Sequence, residues 1–319
     1  MAQLIKLSDY ISRYEQDAYS YPSRFIRLKK KQWERLLDRW KNEQLMPSFY
    51  EAEAISEKRN TASFFSKISL KFSRKKTKLD VLRSEELEWN QNHHDEESAL
   101  DPFKNSSIQQ SRTEEELKQY FLDHLFRLQI KWASSTLTSQ SFPDHKYSTD
   151  ANLKYLLQRF PDHCLVLYHP IFLLKKAPFE SETLIITPTA IWCISFLEEE
   201  ENAVFVGSKE HFWVKKGAEK EKKILNPLVG LDRTEKVVKE LLTKQGSLFP
   251  IKKAVLCRNG YLDYPSAPFG VDLIEKRNYP EWFEKMRSER APIKSEQLKA
   301  AKVLLDTVQS IYSNRVEWS

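Results

Sequence analysis

The chain has 319 residues, a formal net charge of +6 and 30% charged residues, with 6 glycines and many Trp, Tyr and Phe. This length buries a sizeable core and accommodates two domains, or one with large additions, and the composition excludes a disordered chain in favour of a helix-rich α/β protein. A charge of +6 permits contact with nucleic acid without demanding it, because binding depends on where the cations cluster.

The opening MAQLIKLSDYIS lacks the apolar length and cleavage pattern of a signal peptide. No run reaches the ~18 apolar residues of a spanning helix, so a cytoplasmic protein is expected. Cys164, Cys193 and Cys257 form no CxxC pair and fall in apolar runs. They read as small buried core residues rather than disulfide partners or zinc ligands.

Residues from Ile5 to about Tyr19 read as a short helix with Ser8 as its cap. A longer helix starts at Pro22, where Phe25, Ile26, Trp33, Leu36, Leu37 and Trp40 recur at helical spacing. That stripe reads as core or as a surface for a protein partner. Lys29, Lys30, Lys31, Arg35 and Lys41 crowd the rest of the helix and give it a basic face. Thr61 to Lys78 then carries Lys67, Lys71, Arg74, Lys75, Lys76 and Lys78 with no acidic residue, and Phe64, Phe65, Ile68 and Phe72 lie among them. Such a stretch suits nucleic-acid phosphates or a membrane surface, with a solvated helix face as the simpler reading. Asp80 to about Arg112 loses periodicity and reads as a polar linker. Its His93, His94, Asp95, Glu96 and Glu97 point in different directions and read as solvated rather than metal-binding.

Thr113 to Leu128 is expected as a capped helix, its apolar side continuing to Trp132, and Ala151 to Phe160 as a shorter one ended by Pro161. A strand follows over His163 to Leu173. Two more, Thr183 to Thr187 and Ala190 to Leu197, are joined by a turn at Pro188 and Thr189. Ala203 to Val206 and Phe212 to Lys215 read as edge strands, Asn226-Pro227 introduces a helix over Arg233 to Leu242, and strands are expected at Ile251 to Cys257 and Val271 to Ile274. Helices over Pro280 to Ser288 and Ser295 to Tyr312 close the chain. The order is α-β-β-β-α-β with helical additions at both ends. The expected domains are a helical region with the basic segment at 1–79, the linker at 80–112, a helix and connection at 113–149, an α/β domain at 150–290 and a C-terminal helix at 291–319.

The hairpin text ETLIITPTAIWCISFL, Trp213 ahead of a Lys-Gly turn, and LNPLVGLDRTEKVVKELL followed by IKKAVLC stand in an informative order. From about Asp150 to Met286 the chain resembles a nuclease-related (NERD) domain of the PD-(D/E)XK nuclease superfamily. The resemblance implies a restriction-endonuclease-like core with a mixed central sheet. In that superfamily an acidic residue on the second strand and a Glu on the third hold Mg²⁺, and a Lys two residues on supports the attacking water. The Glu-x-Lys spacing works because residues two apart on a strand face the same way. Matched to this pattern, Glu182 takes the first acidic position, Ser195 the Glu position and Leu197 the Lys position. An acidic residue on the preceding helix falls near Asp150 or Asn152.

The resemblance therefore implies a vestigial site and a pseudoenzyme without cofactor, associated with DNA or RNA or with a protein partner through its N-terminal helices. Lys29, Lys30, Lys31, Lys71, Arg74, Lys75, Lys76 and Lys209 are the candidate nucleic-acid contacts. One alternative is a Mg²⁺-dependent nuclease into whose pocket Glu198 to Glu201 and Lys209 have migrated; another is a structural or membrane-surface adaptor. The four glutamates otherwise read as a solvated turn that protects a strand end. Ser195 lacks nucleophile-elbow glycines and a histidine to activate it, so it does not read as a nucleophile.

Overall fold

The computed structural model describes residues 1–53, 113–175, 177–198, 200–217, 221–265, 268–289 and 291–315. Contacts divide the chain into two compact units, Met1–Lys29 with Leu122–Ser319, and Lys30–Phe121. The N-terminal half contains β1 (Gln3–Leu7), α1 (Arg13–Gln16), α2 (Tyr21–Glu53), α3 (Glu114–Trp132), β2 (Ser139–Gln140), α4 (Lys146–Thr149) and α5 (Ala151–Arg159). Strands then dominate: β3 (Leu165–Tyr168), β4 (Ile171–Leu173), β5 (Pro178–Glu180), β6 (Thr183–Ile186), β7 (Ile191–Phe196), β8 (Val204–Val206), β9 (Phe212–Lys216) and β10 (Lys222–Leu225). The remainder is α6 (Pro227–Lys244), β11 (Ile251–Cys257), β12 (Tyr261–Asp263), β13 (Val271–Glu275), α7 (Tyr279–Ser288), α8 (Ser295–Leu305) and β14 (Ser313–Asn314).

A six-stranded mixed sheet, in the order β1-β3-β6-β7-β11-β13, organises the larger unit. Its strands are parallel except β6, which runs antiparallel to both neighbours. The β6–β7 hairpin sits centrally, as its apolar text predicts. Thr187 builds the turn: its hydroxyl donates to the Ala190 carbonyl at 3.0 Å and accepts from the Ala190 N–H at 3.1 Å. Both faces of β7 are covered. Trp192 and Ile194 join a core with Leu153, Leu157 and Phe160 of α5 and Trp282 of α7, while α6 covers the opposite face. A strand buried on both sides needs apolar residues at nearly every position, which is why β7 does not alternate with polar ones.

A four-stranded sheet, β10-β9-β8-β12, lies apart from the central one. The expected edge strands at Ala203 and Phe212 therefore belong to a sheet of their own, completed by two short strands, β10 and β12, that the sequence reading does not include. Its inner face buries Phe205 and Trp213 with Ala203 and Cys257, and Leu197 packs against them.

Several expectations are corrected. Residues 3–7 form a strand, not the start of a helix: all five are buried, four of them pair with β3 around a register shift at Ile5, and the following helix is a single capped turn, with Ser12 accepting from Tyr14. This strand places the N-terminus in the α/β sheet, ahead of the expected boundary at 150. The strand expected over His163 to Leu173 breaks at His169, whose φ is 45°. Helix α6 starts six residues early, because Asn226 caps the Leu228 N–H at 3.0 Å and Pro227 suits the first turn. The last helix stops at Leu305; beyond it Val308 bridges to Phe172 and Ile311 to Tyr10. The helices over 113–128 and 151–160 lie where their periodicity places them.

In the stripe of α2, Phe25 and Leu36 are buried and Ile26, Trp33, Leu37 and Trp40 are half-buried. Phe25 is fully buried with its ring 5.9 Å from Trp132, and Trp33 meets Phe121 at 5.3 Å. The three cysteines are buried and unpaired with one another, as expected. No helix among the described residues is long and apolar enough to cross a membrane. The basic stretch from Thr61 to Lys78 and the linker with His93, His94, Asp95, Glu96 and Glu97 lie outside the described residues.

Candidate functional site

Glu182 enters the sheet at the start of β6, beside the end of β7. Its N–H donates to Thr234 Oγ1 of α6 at 3.0 Å, and its carboxylate lies near Ser195. Gly230 lets that carboxylate lie against α6: a Cβ there would stand 2.3 Å from Glu182 Oε1. Burial pushes the carboxyl up to about 7, Ser195 opposes the shift, and Glu180 adds to it.

The pH consequence has a definite sign. The unfolded carboxyl titrates near 4.5, so the fold favours its protonated form. That contribution is fully present below the unfolded value and is lost as pH rises through about 7. Glu182→Gln is expected to raise stability at high pH by on the order of 2 kcal/mol and to leave it nearly unchanged in acid below the unfolded value. Urea midpoints in the two regimes read the difference, and equal shifts in both would contradict this placement.

Ser195 is buried and stands opposite Val255. Leu197 donates its N–H to the Leu256 carbonyl at 2.9 Å, and its side chain packs on Ala203, Phe205, Trp213 and Cys257. Leu197 is thus a contact between the central sheet and the second sheet. Lys253, opposite Cys193, is the amine on this side of β11. Its Nζ is held 2.7 Å from both Asp232 Oδ1 and Glu235 Oε2.

The Mg²⁺ that the superfamily implies does not fit this set. A hard divalent cation takes several converging oxygens, with carboxylates foremost. Glu182 offers a carboxylate whose charge burial opposes, Ser195 a neutral hydroxyl and Leu197 hydrocarbon. Among the described residues no group of three His, Cys, Asp or Glu side chains is placed to hold a metal ion.

Of the following glutamates, Glu198 and Glu200 are paired with cations other than Lys209. Glu198, expected as part of a solvated turn, pairs through both carboxylate oxygens with Arg258. The same guanidinium donates to Asn152 Oδ1 at 2.8 Å and lies 3.6 Å over the Tyr155 ring, whose hydroxyl meets that of Tyr279. Glu200 stands 3.6 Å from Lys215. Asp150 is occupied as the cap of α5, accepting from Asn152 and Leu153 at 2.9 Å and from the Tyr168 hydroxyl at 2.8 Å. The Arg258 cluster escaped sequence reasoning because its ion-pair partners are 60 residues apart and no local pattern marks them.

The candidate cations are dispersed. Lys29 pairs with Asp162, Lys30 lies 4.0 Å from Glu34, Lys31 is exposed, and Lys209 is exposed in the turn between β8 and β9. Lys71, Arg74, Lys75 and Lys76 lie outside the described residues.

No family model matches the chain, and no solved structure matches it. A segment of 43 residues is 60% identical to an RNA 2',3'-cyclic phosphodiesterase of Geobacillus stearothermophilus. That likeness covers 14% of this chain and 14% of the length of that protein.

Proposed function

We propose that this is a cytoplasmic, non-catalytic protein built on a nuclease-type scaffold and associated with nucleic acid. The observation that carries the proposal is Leu197, which takes the place of the family lysine and is committed to packing against Phe205 and Trp213. The order α5, β3, β6, β7, α6, β11, with β6 antiparallel to its neighbours and β11 parallel to β7, supports a PD-(D/E)XK-like core of the NERD type. Glu182 is what remains of the metal-binding set, and its burial favours the neutral carboxyl over a metal-binding carboxylate.

Retention of the scaffold without its chemistry favours binding over turnover. The test is retention of labelled single- and double-stranded DNA and RNA by the full chain at low salt. Bound oligonucleotide is expected, with affinity falling steeply as salt rises, because cations that contact phosphates release counterions. No retention of any of the four would overturn the proposal. RNA belongs among them also because the 43-residue likeness is to a protein named for an RNA phosphodiester.

A further inference from the structure

The second sheet has an outward face that an ordinary solvated sheet would not carry. Register fixes which residues share it. Leu225 stands beside Phe212, Lys223 beside Val214 and Val206, and Lys216 beside Val204 and Tyr261. The alternate residues, among them Trp213 and Phe205, point into the inner core. Phe212 and Leu225 are 54% and 64% exposed, although they are neighbours on one face and have valines behind them. Solvated faces of antiparallel sheets usually present polar residues, so a contiguous apolar face marks a binding surface.

Charge decides the class of partner. Of the lysines on these strands, Lys216 and Lys223 lie on the outward face with Asp263 beside Val206, whereas Lys215 and Lys222 alternate onto the inner face, where Lys215 stands 3.6 Å from Glu200. Exposed Lys209 lies in the turn leading to Phe212, and the Arg277 guanidinium stands 5.0 Å over the Tyr261 ring. Glu221, 3.5 Å from Lys216, and Glu275, 3.6 Å from Arg277, offset part of this charge. Lysines on the edge strand β10 would by themselves be explained as protection against aggregation. That explanation does not account for Phe212 and Leu225 facing outward beside them.

We propose that the outward face of this sheet binds single-stranded nucleic acid, with bases on Phe212, Leu225 and Tyr261 and phosphates at the surrounding lysines. The exposed ring of Phe212, with the half-buried Tyr261 on the same face, suits unpaired bases, whose faces are free to stack, while a duplex keeps its bases stacked inside. The inference rests on the nucleic-acid reading above and gives that reading a site.

The experiment is fluorescence anisotropy of the full chain with oligo-dT, oligo-U and a mixed duplex, each of about 16 nucleotides, the upper site size of a small binding domain. Both single strands are expected to bind more tightly than the duplex. Phe212→Ala with Tyr261→Ala is expected to weaken single-strand binding about 10-fold or more. Lys216→Gln with Lys223→Gln is expected to flatten the slope of log affinity against log salt by about 1.4, at roughly 0.7 per phosphate contact. Circular dichroism monitors folding, and Phe212→Ala alone serves as the variant if the double substitution unfolds the sheet. Binding that survives these substitutions, or a preference for the duplex, overturns the site while leaving nucleic-acid association standing. A dimer that Phe212→Ala dissociates without loss of oligonucleotide binding makes the face an interface between copies and overturns the site as well. Absence of binding to every oligonucleotide overturns both proposals.

Discussion

Trp213→Ala is expected to destabilise the four-stranded sheet by about 3–5 kcal/mol, the cost of emptying a large aromatic site in a core. Trp213 is 1% exposed, its Nε1 donates to the Ser208 carbonyl at 3.0 Å, and its ring lies 5.5 Å from Tyr264. Few groups can collapse into the space it leaves, because the inner face depends on Phe205, Ala203, Cys257 and Leu197 around it. Urea unfolding and amide exchange of β8, β9 and β10 measure the loss. The neighbouring Phe212→Ala is the internal control: it points to the opposite, solvated face and is expected to change stability within about 0.5 kcal/mol. Equal costs for the two would mean that the inner and outer faces are assigned wrongly.

Arg258→Met is expected to cost about 3–5 kcal/mol, because it strands a carboxylate in a mostly buried position. The Glu198 side chain is 11% exposed and that of Arg258 20%, so neither charge has enough water to replace its partner. Asn152 loses a donor, and Tyr155 loses the cation stacked on its ring, in the same substitution. Replacing both partners, Arg258→Met with Glu198→Leu, is expected to cost less than Arg258→Met alone, since no unpaired charge remains. A double-mutant cycle on urea midpoints reads the difference. A double variant weaker than the single one would mean that packing, not the ion pair, holds the cluster.

The parts of the fold legible in the sequence are those whose signal is local. The helical spacing of Leu117, Phe121, Leu125 and Leu128 announces α3, and the β-branched run around Pro188 and Thr189 announces the central hairpin. Strand β1 is not legible in this way. QLIKL is too short to show a period and becomes a strand only through pairing with Leu165 to Tyr168, more than 150 residues away. The second sheet is half legible: β8 and β9 are expected as strands, whereas β10 and β12, four and three residues long, become strands only through pairing with them.

The candidate site divides along the same line. That Ser195 lies near Glu182 follows from the antiparallel register of adjacent strands, which sets Thr183 opposite Ile194. The fate of Leu197 and Glu198 does not. Whether an apolar residue such as Leu197 at a strand end is exposed, lines a cleft or enters a core depends on what packs over it, and here that is a separate sheet formed by later residues. Glu198 looks like one of four equivalent glutamates until Arg258 selects it across 60 residues.

The most direct test of the central claim is a single incubation of labelled DNA and RNA with the wild-type chain and the Glu182→Ala variant in Mg²⁺ and in Mn²⁺, read for both binding and strand integrity. The predicted result is oligonucleotide that is bound at low salt and uncut by either protein in either metal. Metal-dependent cleavage by the wild type that Glu182→Ala abolishes would contradict the claim.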